Sequence, residues 1–272
     1  MKLKTALCAF LSAICALAYA QDEISFMDED ASPDFRSRLS VSLGGGIGRY
    51  CSWQVEEEIR IKDSFGSFDR FNTSVTFGYK PVKWLKIAPA YHLFNIHDVK
   101  KSTGEKKWKA RHRVALNMTA SISAGRWKFS LRERPQVTMR TDSINVMEKC
   151  RASFVLRSRA QVEYSFRRIP LDTYVSAEIT NTLNTPKEFH GLVSSGSTEE
   201  VSFKLPNHIS RIRYCIGASY RFDKRNSIDV NYRIDDGKDY DIHITKNKGY
   251  LKSVTKTDYL NHILCIGYSY KF

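Results

Sequence analysis

Along most of the chain, bulky apolar residues recur at every second position. Ala152, Phe154, Leu156, Ala160, Val162 and Tyr164 share one parity, and Arg151, Arg157, Arg159, Gln161 and Glu163 share the other. Ile212, Tyr214, Ile216, Ala218, Tyr220 and Phe222 alternate with Arg211, Arg213, Gly217 and Arg221 in the same way. Ile228, Val230, Tyr232 and Ile234 oppose Asp229, Asn231 and Arg233, while Val114, Leu116, Met118, Ala120 and Ile122 oppose Arg113, Asn117, Thr119 and Ser121. Successive strand side chains point to opposite faces, so each stretch reads as a strand with one apolar and one polar face. The pattern predicts ten strands: 52–62, 67–79, 82–96, 107–122, 126–140, 151–165, 171–183, 208–222, 226–235 and 259–272. Roughly ten to sixteen residues long, they suffice for the roughly 9–11 residues that a tilted strand needs to cross a bilayer, and exceed the usual globular strand.

The connections alternate in length. Lys80-Pro81, Ala124-Gly125, Arg167 to Pro170 and Asp223 to Arg225 are short, whereas 97–106, 141–150, 184–207 and 236–258 are longer and hydrophilic. Outer-membrane barrels put short turns in the periplasm and long loops outside. Trp84, Trp108, Trp127, Tyr79, Tyr91, Tyr268 and Tyr270 gather near strand ends, as the aromatic girdles of such barrels do. The last strand places Leu264, Ile266, Tyr268, Tyr270 and Phe272 on one face. A terminal Phe on such a strand resembles the C-terminal signal of bacterial outer-membrane barrels, which implies the barrel-assembly machinery as a partner. The expected fold is therefore all-β: a transmembrane, antiparallel, up-and-down β-barrel of about ten strands, with twelve as the upper count.

Two places resist this pattern. Leu39, Val41 and Leu43 alternate ahead of Gly44-Gly45-Gly46, so residues 38–47 form a short extra strand, a plug, or half of a hidden pair. An eleventh strand would break the even-number rule of bacterial barrels. Glu133 and Pro135 share the parity of Phe129 and Leu131, which sets a carboxylate on the lipid face and removes a ladder hydrogen bond. A bulge near Pro135, or a height above the lipid, would relieve both.

The start of the chain adds the compartment. Lys2 and Lys4 precede an apolar run from Leu7 to Leu17, and Ala18-Tyr19-Ala20 forms a small-x-small site, so residues 1–20 read as a signal peptide cleaved between Ala20 and Gln21. Residues 21–37 read as an acidic periplasmic leader, and 38–272 as the barrel domain. No later stretch is apolar for the 18 residues a spanning helix requires. Cys51, Cys150, Cys215 and Cys265 remain, widely spaced and without a Cys-x-x-Cys pair, and are best read as free thiols used as small residues.

From Glu56 to Phe272 the chain is similar to a family of uncharacterised bacterial outer-membrane barrels known only as a domain of unknown function. The resemblance rests on Glu56-Glu57-Glu58 with Arg60, Phe68-Asp69-Arg70-Phe71, Tyr79-Lys80-Pro81 with Trp84-Leu85-Lys86, and Arg111-His112-Arg113. Ser130-Leu131-Arg132-Glu133-Arg134, Arg157-Ser158-Arg159, Asn181-Thr182-Leu183-Asn184 and Lys224-Arg225-Asn226-Ser227-Ile228 complete it. Pro135 departs from the family pattern, where a second aromatic is usual. The resemblance implies a location and a fold, and carries no activity.

Charge then points to the lumen. Parity turns Glu56, Glu58, Arg60, Arg111, Arg113, Arg132, Arg134, Arg157, Arg159, Glu163, Glu178, Arg211, Arg213, Asp229 and Arg233 inward. Small barrels are filled by their own side chains, so these residues form an Arg/Glu network that plugs the interior, or a cationic passage for small anions. The net charge of +14 would suit nucleic acid, but export argues against it and the charge is spread by parity rather than clustered. The anionic phosphates of lipopolysaccharide suit Lys100, Lys101, Lys106, Lys107, Lys246, Lys248 and Lys252 on the proposed outer loops better. His208 and Ser210 have the spacing of outer-membrane phospholipases, but Arg211-Ile212 stands where that family has Asn-Gly, so no catalytic residue is assigned. His112 and His262 read as interface or girdle residues. No cofactor or metal is expected; the role is structural or transport-like, with loop-based surface binding as an alternative.

Overall fold

A computed structural model describes residues 27–99, 106–145, 148–185, 188–192, 200–204, 207–244 and 251–272; the expected signal peptide lies outside them. The elements are β1 (Met27–Asp30), β2 (Asp34–Ile47), β3 (Cys51–Lys62), β4 (Ser67–Val82), β5 (Leu85–Val99), β6 (Lys106–Ala124) and β7 (Trp127–Arg140). They continue with β8 (Ala152–Ser165), β9 (Leu171–Thr182), β10 (Glu188–Leu192), β11 (Glu200–Lys204), β12 (His208–Arg221), β13 (Asn226–Ile244) and β14 (Leu251–Lys271). From β2 to β9 each strand pairs antiparallel with its neighbour in sequence; β9 then pairs with β12, β12 with β13, and β13 with β14. β14 closes the ring by pairing parallel with β2, from Asn261↔Asp34 to Lys271↔Gly44. β10 and β11 form a separate hairpin within the connection from β9 to β12.

The wall thus has eleven strands: the ten expected and residues 34–47. An odd ring is possible because β2 and β14 run in the same direction, so the even-number expectation fails at this one parallel seam. β1 continues the seam, pairing parallel with Thr255–Asp258 of β14. Residues 27–30 and 34–37, expected as leader, are therefore part of the sheet. β13 and β14 also extend through much of 236–258, expected as loop, and make a tall hairpin with an unbroken register from Asn226↔Tyr270 to His243↔Ser253.

Turn chemistry separates the two ends. At one end the connections 48–50, 83–84, 125–126, 166–170 and 222–225 are all short. Gly48 and Gly125 supply φ values of 62°, which a side chain would disfavour. Asp223 accepts from the amides of Arg225 and Asn226 and from the Asn226 side chain; the Asn226 bond, with those amides, holds its carboxyl below the usual range. The connections at the other end are longer, apart from 63–66, where Asp63, Ser64 and Phe65 all take positive φ.

Burial is the inverse of a water-soluble protein's. Leu39, Val55, Phe77, Tyr91, Leu116, Ile122, Phe129, Val175, Ile216 and Val230 are exposed on the outer face, while Glu58, Asn72, Glu178, Arg213, Asn231, Asp235 and Asn261 are buried within. The apolar atoms form a band around the ring, edged by aromatic clusters. Trp127 packs on Tyr164 and Tyr270 on Phe272 at the short-turn end; Phe71 stacks on Trp108 near the other.

Pro135 causes no bulge. β7 keeps one register with β8 throughout, and with β6 on either side of a gap at Arg134 and Pro135. Glu133 stays on the outer face partway along the strand, where Ser158 Oγ donates to it at 2.7 Å.

Candidate functional site

The inner face encloses a cavity of about 960 Å³ whose lining includes twelve arginines and Lys86 against seven carboxylates. Its most deeply buried charged side chain is Glu178 on β9, 2 % exposed. Arg157 on β8 donates to it through Nη2 at 2.5 Å, and Arg132 on β7 through Nη2 at 2.8 Å. Arg213 on β12 approaches the same carboxylate at 3.8 Å and grips Asp235 on β13 through Nε and Nη2, at 2.5 and 2.6 Å. Arg211 reaches Asp235 at 3.5 Å. A guanidinium fork matches a carboxylate in this bidentate way, and buried charges require such pairing.

A second group lies on β3 and β4, where Glu58 accepts from Arg60 Nε at 2.6 Å and from Asn72 Nδ2 at 3.3 Å. Lower in the lumen the Tyr174 ring crosses Gly217 to donate to Asp229 at 3.0 Å. A Cβ at Gly217 would meet that ring at 2.6 Å, so glycine is required there for the close approach. Tyr259 covers Gly237 in the same way, and a Cβ on that glycine would lie 2.5 Å from its ring.

All these contacts join strands at most two places apart in the ring. The ion pairs run along the wall and leave the middle of the barrel as cavity. Of the fifteen residues that parity turned inward, twelve line the cavity: Glu56, Glu58, Arg60, Arg113, Arg132, Arg134, Arg157, Arg159, Glu178, Arg211, Arg213 and Arg233. Asp229 sits under Tyr174; Glu163 pairs with Lys128 at 3.2 Å toward the short turns; Arg111 lies above Arg113 on β6, opposite Arg140. Sequence reasoning missed Arg38, His92 and Asp235. Asp235 shares the parity of Asp229 and Arg233 at the last position of the predicted strand 226–235, and Arg38 that of Ser40 and Ser42 at the first position of segment 38–47, so the same parity, carried to those ends, would have captured both.

His208 and Ser210 do not keep the period of two. A bulge between Ile209 and Arg211 puts His208 in step with Arg211, opposite Thr182 and Thr180. Ser210 Oγ donates to the Thr180 carbonyl at 3.3 Å. His112 and His262 stand on the outer face, each 2.6 Å from a tyrosine hydroxyl, of Tyr91 and Tyr232. The four cysteines Cys51, Cys150, Cys215 and Cys265 are free. Of the basic loop residues, Lys100, Lys101, Lys246 and Lys248 lie outside the described residues.

A closed β-ring with an apolar outer band and a charged, hydrogen-bonded interior defines the class: a β-barrel built inside out. The family model described as a protein of unknown function (DUF2490) matches residues 36–239, most of that ring, and the chain belongs to this family. No curated protein matches it.

Proposed function

We propose that the protein is an integral outer-membrane barrel with a non-enzymatic, transport-like role, whose cationic lumen passes small anions. The observation that carries this reading is the excess of cations lining a cavity whose ion pairs follow the wall rather than cross it. Rings of arginine favour anions in pores, and paired guanidiniums keep their positions without filling the lumen. The apolar band supports residence in lipid, since only a closed sheet or a helix satisfies its backbone there. The short turns at the end that carries Phe272 support a periplasmic location for that end. Phe272, 71 % exposed, is available there to the barrel-assembly machinery. The exposure of Lys106 and Lys107 at the opposite end supports contact with lipopolysaccharide phosphates.

The test is conductance of the refolded protein in a planar bilayer under a potassium chloride gradient. Discrete openings with a reversal potential toward that of chloride are expected. A silent bilayer with correctly folded protein would mean that the Arg/Glu network plugs the lumen and the role is structural.

A further inference from the structure

The cationic lining is not evenly neutralised. Carboxylates reach the lumen from β3, β4, β9 and β13, but not from the arc β5–β7 below its rim. Asp98 at that rim is held by Lys109 at 2.5 Å. The arc's other carboxylate, Glu133, faces outward and is answered by Ser158. Within the arc stand Arg113 and Arg134, neither in an ion pair among the described residues.

We propose that Arg113, Arg134 and His92 form a binding station for a phosphate-class oxyanion on this carboxylate-free arc. The proposal rests on the anion-passing reading and gives it a ligand class. His92 lies directly opposite Arg113 in the β5–β6 register. Arg134, from β7, donates through Nη2 to His92 Nε2 at 2.6 Å. The register leaves Ala115 between them, and so small a side chain lets the arginine lie across β6. Arg113 is fixed twice: its guanidinium stacks 4.5 Å from the centre of the Phe94 ring, and its Nε donates to Thr138 Oγ1 at 2.8 Å. Both guanidiniums are thus oriented before a ligand arrives, which lowers the ordering cost of binding.

Among the described residues the inner face of the arc leaves His92 Nδ1 and the Nε atoms of Arg111, Arg132 and Arg134 without hydrogen-bond partners, against one such acceptor, Gln136 Oε1. Because His92 Nε2 accepts from Arg134, the ring proton stands on Nδ1, which is buried without a hydrogen-bond partner, as is Arg134 Nε. A ligand that accepts several hydrogen bonds, donates few and carries more than one negative charge fits this surface. Phosphate fits better than chloride, since a guanidinium fork grips two of its oxygens together. Free phosphate and a phosphate monoester share this chemistry.

The experiment titrates the refolded full-length barrel with inorganic phosphate and, separately, glycerol phosphate, reading heat by calorimetry. Folding of each variant is checked by its mobility shift on boiling. Arg113→Gln and Arg134→Gln should each weaken binding at least tenfold, whereas Arg233→Gln, on the carboxylate-bearing side, should weaken it less than twofold. Arg134→Lys keeps the charge but not the fork, and should fall between; it also serves if the glutamine variant fails to fold. Binding of either probe in this residue-dependent way supports the station, and the probe that binds identifies its source. Equal losses at all three arginines, or no binding by the wild type, overturn it. Conductance without phosphate binding would sink the station and spare the channel; phosphate binding in a barrel that does not conduct would do the reverse.

Discussion

At Glu178 two guanidiniums, of Arg132 and Arg157, donate to one carboxylate, and a third, that of Arg213, stands 3.8 Å away while Asp235 holds it. Glu178→Gln removes the charge and leaves Arg132 and Arg157 without their carboxylate beside Arg213, which keeps Asp235, in a poorly solvated wall. Breaking a buried pair in this way costs roughly 3–5 kcal/mol, which urea unfolding in lipid vesicles, followed by tryptophan fluorescence, would register. A loss under about 1 kcal/mol would mean that lumen water, not Glu178, screens these arginines. Gly217→Ala tests a different force. Its methyl group would overlap Tyr174 and push the hydroxyl off Asp229, with an expected loss of about 1–3 kcal/mol. Tyr174→Phe keeps the ring and loses only the bond, about 1 kcal/mol, and an equal loss in both variants would rule out the steric account. Parity alone turned Glu178 and Arg213 inward. Asp235, the partner of Arg213, was hidden because it stands at the very end of the predicted strand, beyond its last apolar residue.

Among the elements, β7 tests how far alternation can be trusted. Its outward set runs Trp127, Phe129, Leu131, Glu133, Pro135, Val137, Met139, and the structure keeps this set intact. The carboxylate is accommodated by one hydroxyl on β8 rather than by a bulge. Lipid-facing charge is destabilising, less so for Glu than for Arg or Lys, so Glu133→Leu should stabilise the barrel in vesicles by about 1–2 kcal/mol. A destabilised Glu133→Leu would show that the Ser158 bond matters more than the lipid contact. β12 teaches the opposite lesson. A single bulge at its start breaks the period of two, and the common face inferred for His208 and Ser210 disappears with it.

For the whole molecule the parallel seam has a consequence for topology. Residue 27 lies at the long-connection end and Phe272 at the short-turn end. A protease site introduced after Asp30 should therefore be cut from the same side of a vesicle as one at Asn145, and a site appended to Phe272 from the other side. Cleavage of the first and last sites from one side would contradict the eleven-strand ring. Removing 27–33 should leave a heat-modifiable barrel, since β1 only lengthens the seam. Removing 34–47 deletes a wall strand and exposes the edges of β3 and β14, and should abolish the mobility shift.

The sequence by itself determined the all-β class, the apolar and charged faces of each strand, and the end that carries the short turns. These are local properties, because a period of two and a turn signal are both written within a dozen residues. Only the tertiary structure decided the ring closure, the eleventh strand, and which carboxylate meets which arginine. Those depend on pairing between residues as distant as Asp34 and Asn261. Alternation says which way a side chain points; register and ring order decide what it meets there.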